Sequence, residues 1–325
     1  MRSPLLWAGF NLFVVVAIAL DLGVFHREAR KISWKEAATS SALWIALALG
    51  FGYVLGRVFG AERGFEYLTG YVVEKALSVD NLFVFLLIFR TFEVPDNVQH
   101  RVLEWGILGA LLMRGAMILF GAALVSRFDW ILPLFGLFLV YAGLHMLWKR
   151  EKVVRYERNP LFRFARSHLR VAQEFSGNKF FLRQDGGWYA TPLLLVLLVV
   201  ELADITFAVD SIPAIFGITR EPFLVYSSNV FAILGLRALY FLLADLLGYL
   251  RYLGIGLGMI LLSIGLKMVA DLWWHISVKV SLGVVGAILL LTALFSIRAG
   301  PEVNGAVSEK ERFSGKEGAR GRAGL

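Results

Sequence analysis

The chain contains no cysteine, eight prolines and five histidines in 325 residues, and only 18% of it is charged. Without cysteine there are no disulfides, thiolate metal sites, cysteine nucleophiles or iron–sulfur clusters, so redox chemistry would need another cofactor. His26, His100, His168 and His275 show no ligand spacing, and His145 stands alone. Scarce charge, against 58% hydrophobic residues and a mean hydropathy of +0.68, excludes an ordinary soluble enzyme. What the chain has instead is a series of long apolar runs, each of roughly 18 residues or more and able to cross a hydrocarbon core of about 30 Å. A pI near 9.7 fits a nucleic-acid binder in principle. The basic residues, however, lie between apolar segments rather than in one stripe, which argues against that reading.

Nine segments are expected to span the membrane, near residues 5–25, 37–58, 66–89, 103–125, 131–148, 191–216, 223–247, 252–270 and 278–297. The basic residues between them alternate in number. With the N-terminus outside, 23 of the 33 Lys and Arg fall in cytoplasmic segments, six outside and four within spans. That asymmetry follows the positive-inside rule and puts the C-terminus in the cytoplasm. The first apolar run is too long for a cleaved signal peptide and lacks a small-residue cleavage site. Residues 1–300 read as one transmembrane domain. Residues 301–325, rich in Gly, Lys, Arg and Glu, read as a disordered cytoplasmic tail. The loop at 149–190 interleaves Phe162, Phe164, Phe175, Phe180 and Phe181 with basic residues, the pattern of a surface-lying amphipathic stretch. Trp105, Trp130, Trp148, Trp188, Trp273 and Trp274 stand near span ends, as an interfacial aromatic belt requires.

Charges inside spans are costly and are functional candidates by default. Here they are organised. Span three carries Glu74, Asp80 and Asn81 in EKALSVDN, and span six carries Asp204, Asp210 and Ser211 in DITFAVDS. Spans four and seven each hold one arginine, Arg114 and Arg237. Spans five and eight share Gly143-Leu144-His145-Met146 and Gly265-Leu266-Lys267-Met268. These landmarks in matching order point to a duplicated three-helix unit, about 65–150 and about 191–271. An odd number of spans per unit inverts one copy relative to the other, the arrangement of secondary transporters whose sites lie near the midplane.

Helical geometry puts Glu74, Ser78 and Asn81 on one face and Asp204, Ala208 and Ser211 on the matching face, with Glu201 a turn before Asp204. Asp80 and Asp210 lie about 9 Å further along each axis and roughly 120° round an ideal helix. A local break would bring both acids of a copy to one ion, and Pro213 supplies a reason for one beside Asp210. Lys75 is on another face from Glu74, where it snorkels or finds a partner. Carboxylates, an amide and hydroxyls are hard oxygen ligands suited to Mg²⁺, Ca²⁺ or Mn²⁺. Their surplus of negative charge leaves some acids protonated or paired with Arg114, Arg237 or Lys267. Acids alternating between metal and proton would give proton-coupled exchange. For the arginines the alternative is purely structural: buried pairs with Asp80 and Asp210 that fix the bundle.

The chain resembles the TerC family of integral membrane proteins, nearest its Alx-like branch. The resemblance rests on DLGVFHR at 21–27, EKALSVDNLFVF at 74–85, FDWILPLFG at 128–136, YATPLLLVLLVVELADITFAVDSIPAIF at 189–216 and SNVFAILGLRALYFLL at 228–243. It implies an inner-membrane protein of manganese homeostasis that exports Mn²⁺, in a family whose older names invoke tellurium resistance and redox modulation. The family's acidic residues map to Glu74, Asp80, Asp204 and Asp210, with Asn81 adjacent. Alx-like sequences tend to carry lysine in both the fifth and eighth spans, whereas His145 and Lys267 stand here.

The expectation is therefore an all-α polytopic membrane protein exporting a divalent cation, most often Mn²⁺. Asp80 and Asp210 are the primary ligands, Glu74, Asp204 and Asn81 complete the metal site, and Arg114, Arg237 and Lys267 balance charge. No resident cofactor, no enzymatic activity and no nucleic acid are expected. The partners are the cation, protons as coupling ion and membrane lipid. The competing readings are a non-transporting scaffold or stress-response complex component, and a carrier of Ca²⁺ or another cation.

Overall fold

The computed structural model describes residues 3–24, 34–128, 130–148, 171–172, 175–184, 187–244 and 252–299. The cluster at Arg27, Arg30 and Lys31, the loop over 149–170, Asp245 and the tail at 301–325 lie outside the described residues, as does the side chain of Asp21. Ten helices are described: α1 (Pro4–Val24), α2 (Trp34–Phe59), α3 (Ala61–Thr91), α4 (Asp96–Arg127), α5 (Ile131–Trp148), α6 (Pro192–Phe216), α7 (Pro222–Ile233), α8 (Leu236–Ala244), α9 (Leu253–Ala270) and α10 (Val278–Ala299). Apolar sequence in lipid must satisfy its own backbone, which the helix does within one segment. Their starts are written in the sequence, for Pro192 and Pro222 stand in the first turns of α6 and α7, where a missing N–H costs nothing.

Among the described residues six helices, α2, α4, α5, α6, α9 and α10, are long and apolar enough to cross a membrane, and α7 with α8 makes a seventh if read as one bent span. The chain is thus a multi-pass α-helical membrane protein. In α1 the apolar helix Pro4–Leu20 is shorter than that criterion. In α3 the run is interrupted by Glu74, Lys75 and Asp80. All six belt tryptophans are exposed, from 46% at Trp105 to 85% at Trp148.

Helix α3 is the central element and packs against α2, α6, α7 and α10. Helices α3 and α6 run antiparallel. Leu82, Phe85 and Phe89 share a core with Leu193, Val196 and Val200 at the start of α6, while Gly70 lies beside Ile215 near its end. Helices α1 and α2 cover the other side through Phe10, Val14, Trp44 and Leu55, which meet Tyr67, Tyr71, Phe223 and Phe231. The α2–α3 turn is sharp because Gly60 adopts a φ of +101°, which L side chains avoid.

Helices α5 and α9 form the most intimate pair. Ideal Cβ atoms at Gly136 and Gly143 would lie 3.1 and 2.7 Å from the carbonyl oxygens of Gly265 and Gly258. The reverse contacts, Gly258 to the Gly143 oxygen at 3.2 Å and Gly265 to the Gly136 oxygen at 2.7 Å, complete an interface built on four glycines. Small residues let backbones approach where lipid gives no hydrophobic drive.

Two features depart from the sequence expectation. A two-stranded antiparallel hairpin, β1 (Phe181–Gln184) and β2 (Gly187–Ala190), pairs Phe181 with Ala190 and Arg183 with Trp188 immediately before α6. Its aromatic residues favour strands, and Phe180 anchors it edge-on to Trp105 of α4. Second, α6 continues through Pro213 to Phe216. Proline so near the end removes little of the hydrogen-bond ladder, and the Pro213 carbonyl still accepts from Gly217 at 3.0 Å. The break comes elsewhere, between α7 and α8, which are bent by 40° at Leu234 and Gly235. There Gly235 has a φ of +78° and packs its open side on the Trp44 ring.

Candidate functional site

The polar stripe expected on α3 is buried: Glu74 and Ser78 are fully enclosed, and Asn81 is 4% exposed. Asp204 and Ser211 of α6 are equally withdrawn. Between them Arg114 of α4, 1% exposed, joins the two helices. Its Nη1 donates to Glu74 Oε2 at 2.8 Å, while Nε and Nη2 donate to Asp204 at 3.2 and 3.0 Å. The planar fork suits two carboxylates at once. With its amide turned to donate to the Leu77 carbonyl, Asn81 accepts from Arg114 Nη2 at 3.1 Å. One guanidinium thus binds one acid from each half of the chain.

The cluster retains unused capacity. Glu74 Oε1, Ser78 Oγ, Ser211 Oγ and Glu201 Oε2 are buried without a hydrogen-bond partner among the described residues. Ser211 lies beside Glu74. The Glu201 carboxylate occupies the space left by the missing side chain of Gly109 on α4. Unpaired buried oxygens are expensive and uncommon. Here they surround an ion pair, so oxygen atoms with free lone pairs line the site beside the Arg114 bridge.

Asp80 and Asp210 are not on this stripe. Because α3 and α6 stay regular, both remain on the adjoining helix faces, half-buried and engaged in interactions of their own. Arg114 departs from the pairing with Asp80 or Asp210 that a purely structural role suggests, while Arg237 has interactions beyond the one described next. Arg114 takes Glu74 and Asp204 instead, and Arg237, 3% exposed, donates from Nη1 to Glu104 at 3.0 Å. Glu104 in turn lies 3.6 Å from Arg101. Lys267 donates to the Gly217 carbonyl at 3.0 Å and to Asp271 at 2.7 Å, tying α9 to the end of α6. His145 packs against Tyr141. Among the described residues no three His, Asp or Glu side chains are grouped so as to enclose a metal ion.

Sequence reasoning missed Glu104, which stands at the start of span four, away from the repeated motifs. The glycine in Ile233-Leu234-Gly235-Leu236 was the available signal for the break. Of the two readings of Lys75, snorkelling or a partner, the structure gives the second: it points inward, at the Ala232 carbonyl 3.2 Å away.

The likeness to known proteins covers nearly the whole chain. An uncharacterized membrane protein of Myxococcus xanthus, STKORF319, is 46% identical over 302 residues, spanning 92% of this chain and 95% of its own length. Alx of Escherichia coli K12, provisionally described as a membrane-bound redox modulator, is 46% identical over 303 residues, 90% of this chain and 94% of Alx. An uncharacterized membrane protein of Rickettsia bellii is 36% identical over 291 residues, 90% of this chain and 96% of its own. No solved structure matches. The family described as integral membrane protein TerC matches residues 59–302, which begin just before α3 and contain the whole polar cluster. With its buried acids inside that match, the chain belongs to the TerC family of integral membrane proteins.

Proposed function

We propose that the protein is a secondary transporter, not an enzyme, that exports a divalent cation, Mn²⁺ foremost, through the carboxylate cluster. The observation that carries this reading is Arg114 held between Glu74 and Asp204 amid buried oxygens left unpaired. A guanidinium there does what a cargo cation would do, and a cation that displaces it meets a ready set of hard oxygen ligands. Transport requires such an exchange, because acids bound permanently to metal release nothing.

The reading includes nine spans and an inverted repeat of α3–α5 and α6–α9, in the inner membrane, with the N-terminus outside. The glycine interface supports the repeat. Aligning Gly143-Leu144-His145 with Gly265-Leu266-Lys267 equates Gly143 with Gly265 and Gly136 with Gly258. The contact of Gly136 with Gly265 then maps onto that of Gly258 with Gly143, as a two-fold axis demands. The crossing of Gly106 with Val200 likewise has its counterpart in that of Gly70 with Ser228. In this orientation Asp80 lies about 9 Å toward the cytoplasm from Glu74, and Asp210 about 9 Å toward the outside from Asp204. They are the entry and exit carboxylates of the path, with protons as the exchanged ion.

The scaffold reading has its own support in the same bridge, since a doubly bound buried arginine also fixes a bundle. Flux measurements separate the two. In proteoliposomes with a pH dye inside, Mn²⁺, Ca²⁺, Mg²⁺ and Zn²⁺ are offered in turn. Saturable Mn²⁺ movement with opposing proton flow is expected, and it is lost in Glu74→Gln, Asp204→Asn, Asp80→Asn and Asp210→Asn. Absence of flux for every ion from folded protein gives the scaffold reading the case.

A further inference from the structure

The two halves of the chain differ at one point that the cation path does not use. Helix α4 is unbroken from Asp96 to Arg127 and delivers Arg114 to the acids. Its counterpart is split into α7 and α8, and Arg237, two residues beyond the break, is held at Glu104 instead. A break in a helix frees carbonyls that need donors. The Leu234 N–H takes the Val230 carbonyl at 2.9 Å and the Leu239 N–H takes that of Gly235 at 3.0 Å. Among the described residues no backbone N–H takes the carbonyl of Ala232 across the break. Its donor is the Nζ of Lys75, at 3.2 Å, reaching over from α3.

This is the sole hydrogen bond of Lys75 among the described residues, and no carboxylate lies within ion-pair distance of it there. An ammonium inside an apolar bundle is stabilised by the carboxyl end of a helix, where the partial negative charge of the backbone gathers. The matching position in the second half, 130 residues on like Asp80 and Asp210, is Ile205. Ile205 is 39% exposed on α6 and offers no donor. The half that supplies a lysine faces a broken helix, and the half that supplies an isoleucine faces a continuous one.

We propose that Lys75 is a positioning residue that holds the α7–α8 break open by capping the Ala232 carbonyl, and so keeps Arg237 at Glu104 while Arg114 occupies the acids. The next residue back, Glu74, is itself bound by Arg114. One turn of α3 therefore carries both the acid that takes one arginine and the cation that keeps the other away. The proposal concerns the resting conformation and stands independently of whether the cluster moves a cation.

The absence of cysteine makes the test clean. Spin labels at Tyr141→Cys on α5 and Leu242→Cys on α8 report the position of α8 by pulsed dipolar spectroscopy on the full chain in lipid nanodiscs. Straightening a 40° bend moves a residue seven positions beyond Gly235 by about 7 Å. Lys75→Met is expected to shift the distance by several ångströms or add a second population of that size, and Lys75→Arg to leave it in place. Lys75→Gln, too short to reach the carbonyl, is a second neutral variant with the same expectation as Lys75→Met. If Gly235 packed on Trp44 sets the bend alone, the neutral variants superimpose on the parent and the proposal is overturned. Equal shifts in the neutral and arginine variants overturn it too, because the cation would then not be the determinant. None of these outcomes depends on transport.

Discussion

Helices α5 and α9 meet through four glycines in matching reciprocal contacts, as the proposed two-fold relation requires, whereas the two arginine helices are built differently. Arg114 is buried between two acids on a straight helix, and Arg237 is bound to an acid near the start of α4 from beyond a bend. Close packing of backbone on backbone leaves one arrangement, because either helix would have to withdraw before the other could move. A charged side chain has alternatives when several acids lie within its reach. On the transport reading proposed above, the difference separates a part of the fold that serves as a frame from a part that changes partners.

The largest effect is expected from breaking the asymmetric part at its centre. Arg114→Ala leaves Glu74 and Asp204 facing each other in the interior without their shared counter-ion. Removing one partner of a buried pair costs about 3–5 kcal/mol, and here two acids lose theirs. Thermal unfolding in detergent should register the change as a large fall in midpoint. Arg237→Ala should cost less, since Glu104 keeps 14% of its side chain exposed and has Arg101 nearby. Equal losses from the two substitutions would contradict the contrast drawn between the arginines.

The symmetric part is sharpened by a matched pair of substitutions. In Gly143→Ala the new methyl meets the Gly258 carbonyl at 2.7 Å and the Leu262 nitrogen at 2.8 Å, and in Gly265→Ala it meets the Gly136 carbonyl at 2.7 Å and the Val140 nitrogen at 2.8 Å. All four obstacles are backbone atoms that cannot rotate aside. Each variant should lose about 1–3 kcal/mol, the usual range for overpacking, and the two losses should agree with one another. A large disparity would remove the main support for the two-fold relation.

Much of this was legible in the sequence, for physical reasons that differ by feature. Most of the spanning helices could be placed because a lipid-spanning segment is predominantly apolar, although six or seven, not nine, are long and apolar enough to cross a membrane among the described residues and α3 is interrupted by Glu74, Lys75 and Asp80. The stripe of Glu74, Ser78 and Asn81 and its partner at Asp204 and Ser211 followed from helical periodicity, which the regular α3 and α6 preserve. What could not be read was which acid each arginine reaches, since a long flexible side chain can serve acids on several turns. Asp80 and Glu74 are both within such a reach of α4 on paper, and only packing decides for Glu74. The break was misplaced for a related reason. Proline at 213 disrupts a helix only if the helix has far to go, and α6 ends three residues later. At Gly235 the chain does bend: the residue has a positive φ and Trp44, from another element, packs beside it, a contact that sequence cannot show.

The smallest expected effect marks where the glycine argument stops. Gly286 of α10 has nothing within 4 Å of its would-be Cβ, and α10 is the least enclosed of the spans, with 11% of its apolar window buried. Gly286→Ala therefore meets no obstacle, and alanine is the better helix former by up to about 1 kcal/mol. The variant should unfold at the same midpoint as the parent or slightly above it, in the same assay that shows Gly143→Ala and Gly265→Ala well below. A fall at Gly286 comparable to theirs would mean that α10 packs through this face against something the single chain does not contain. The close-approach argument would then extend to a surface that otherwise faces lipid.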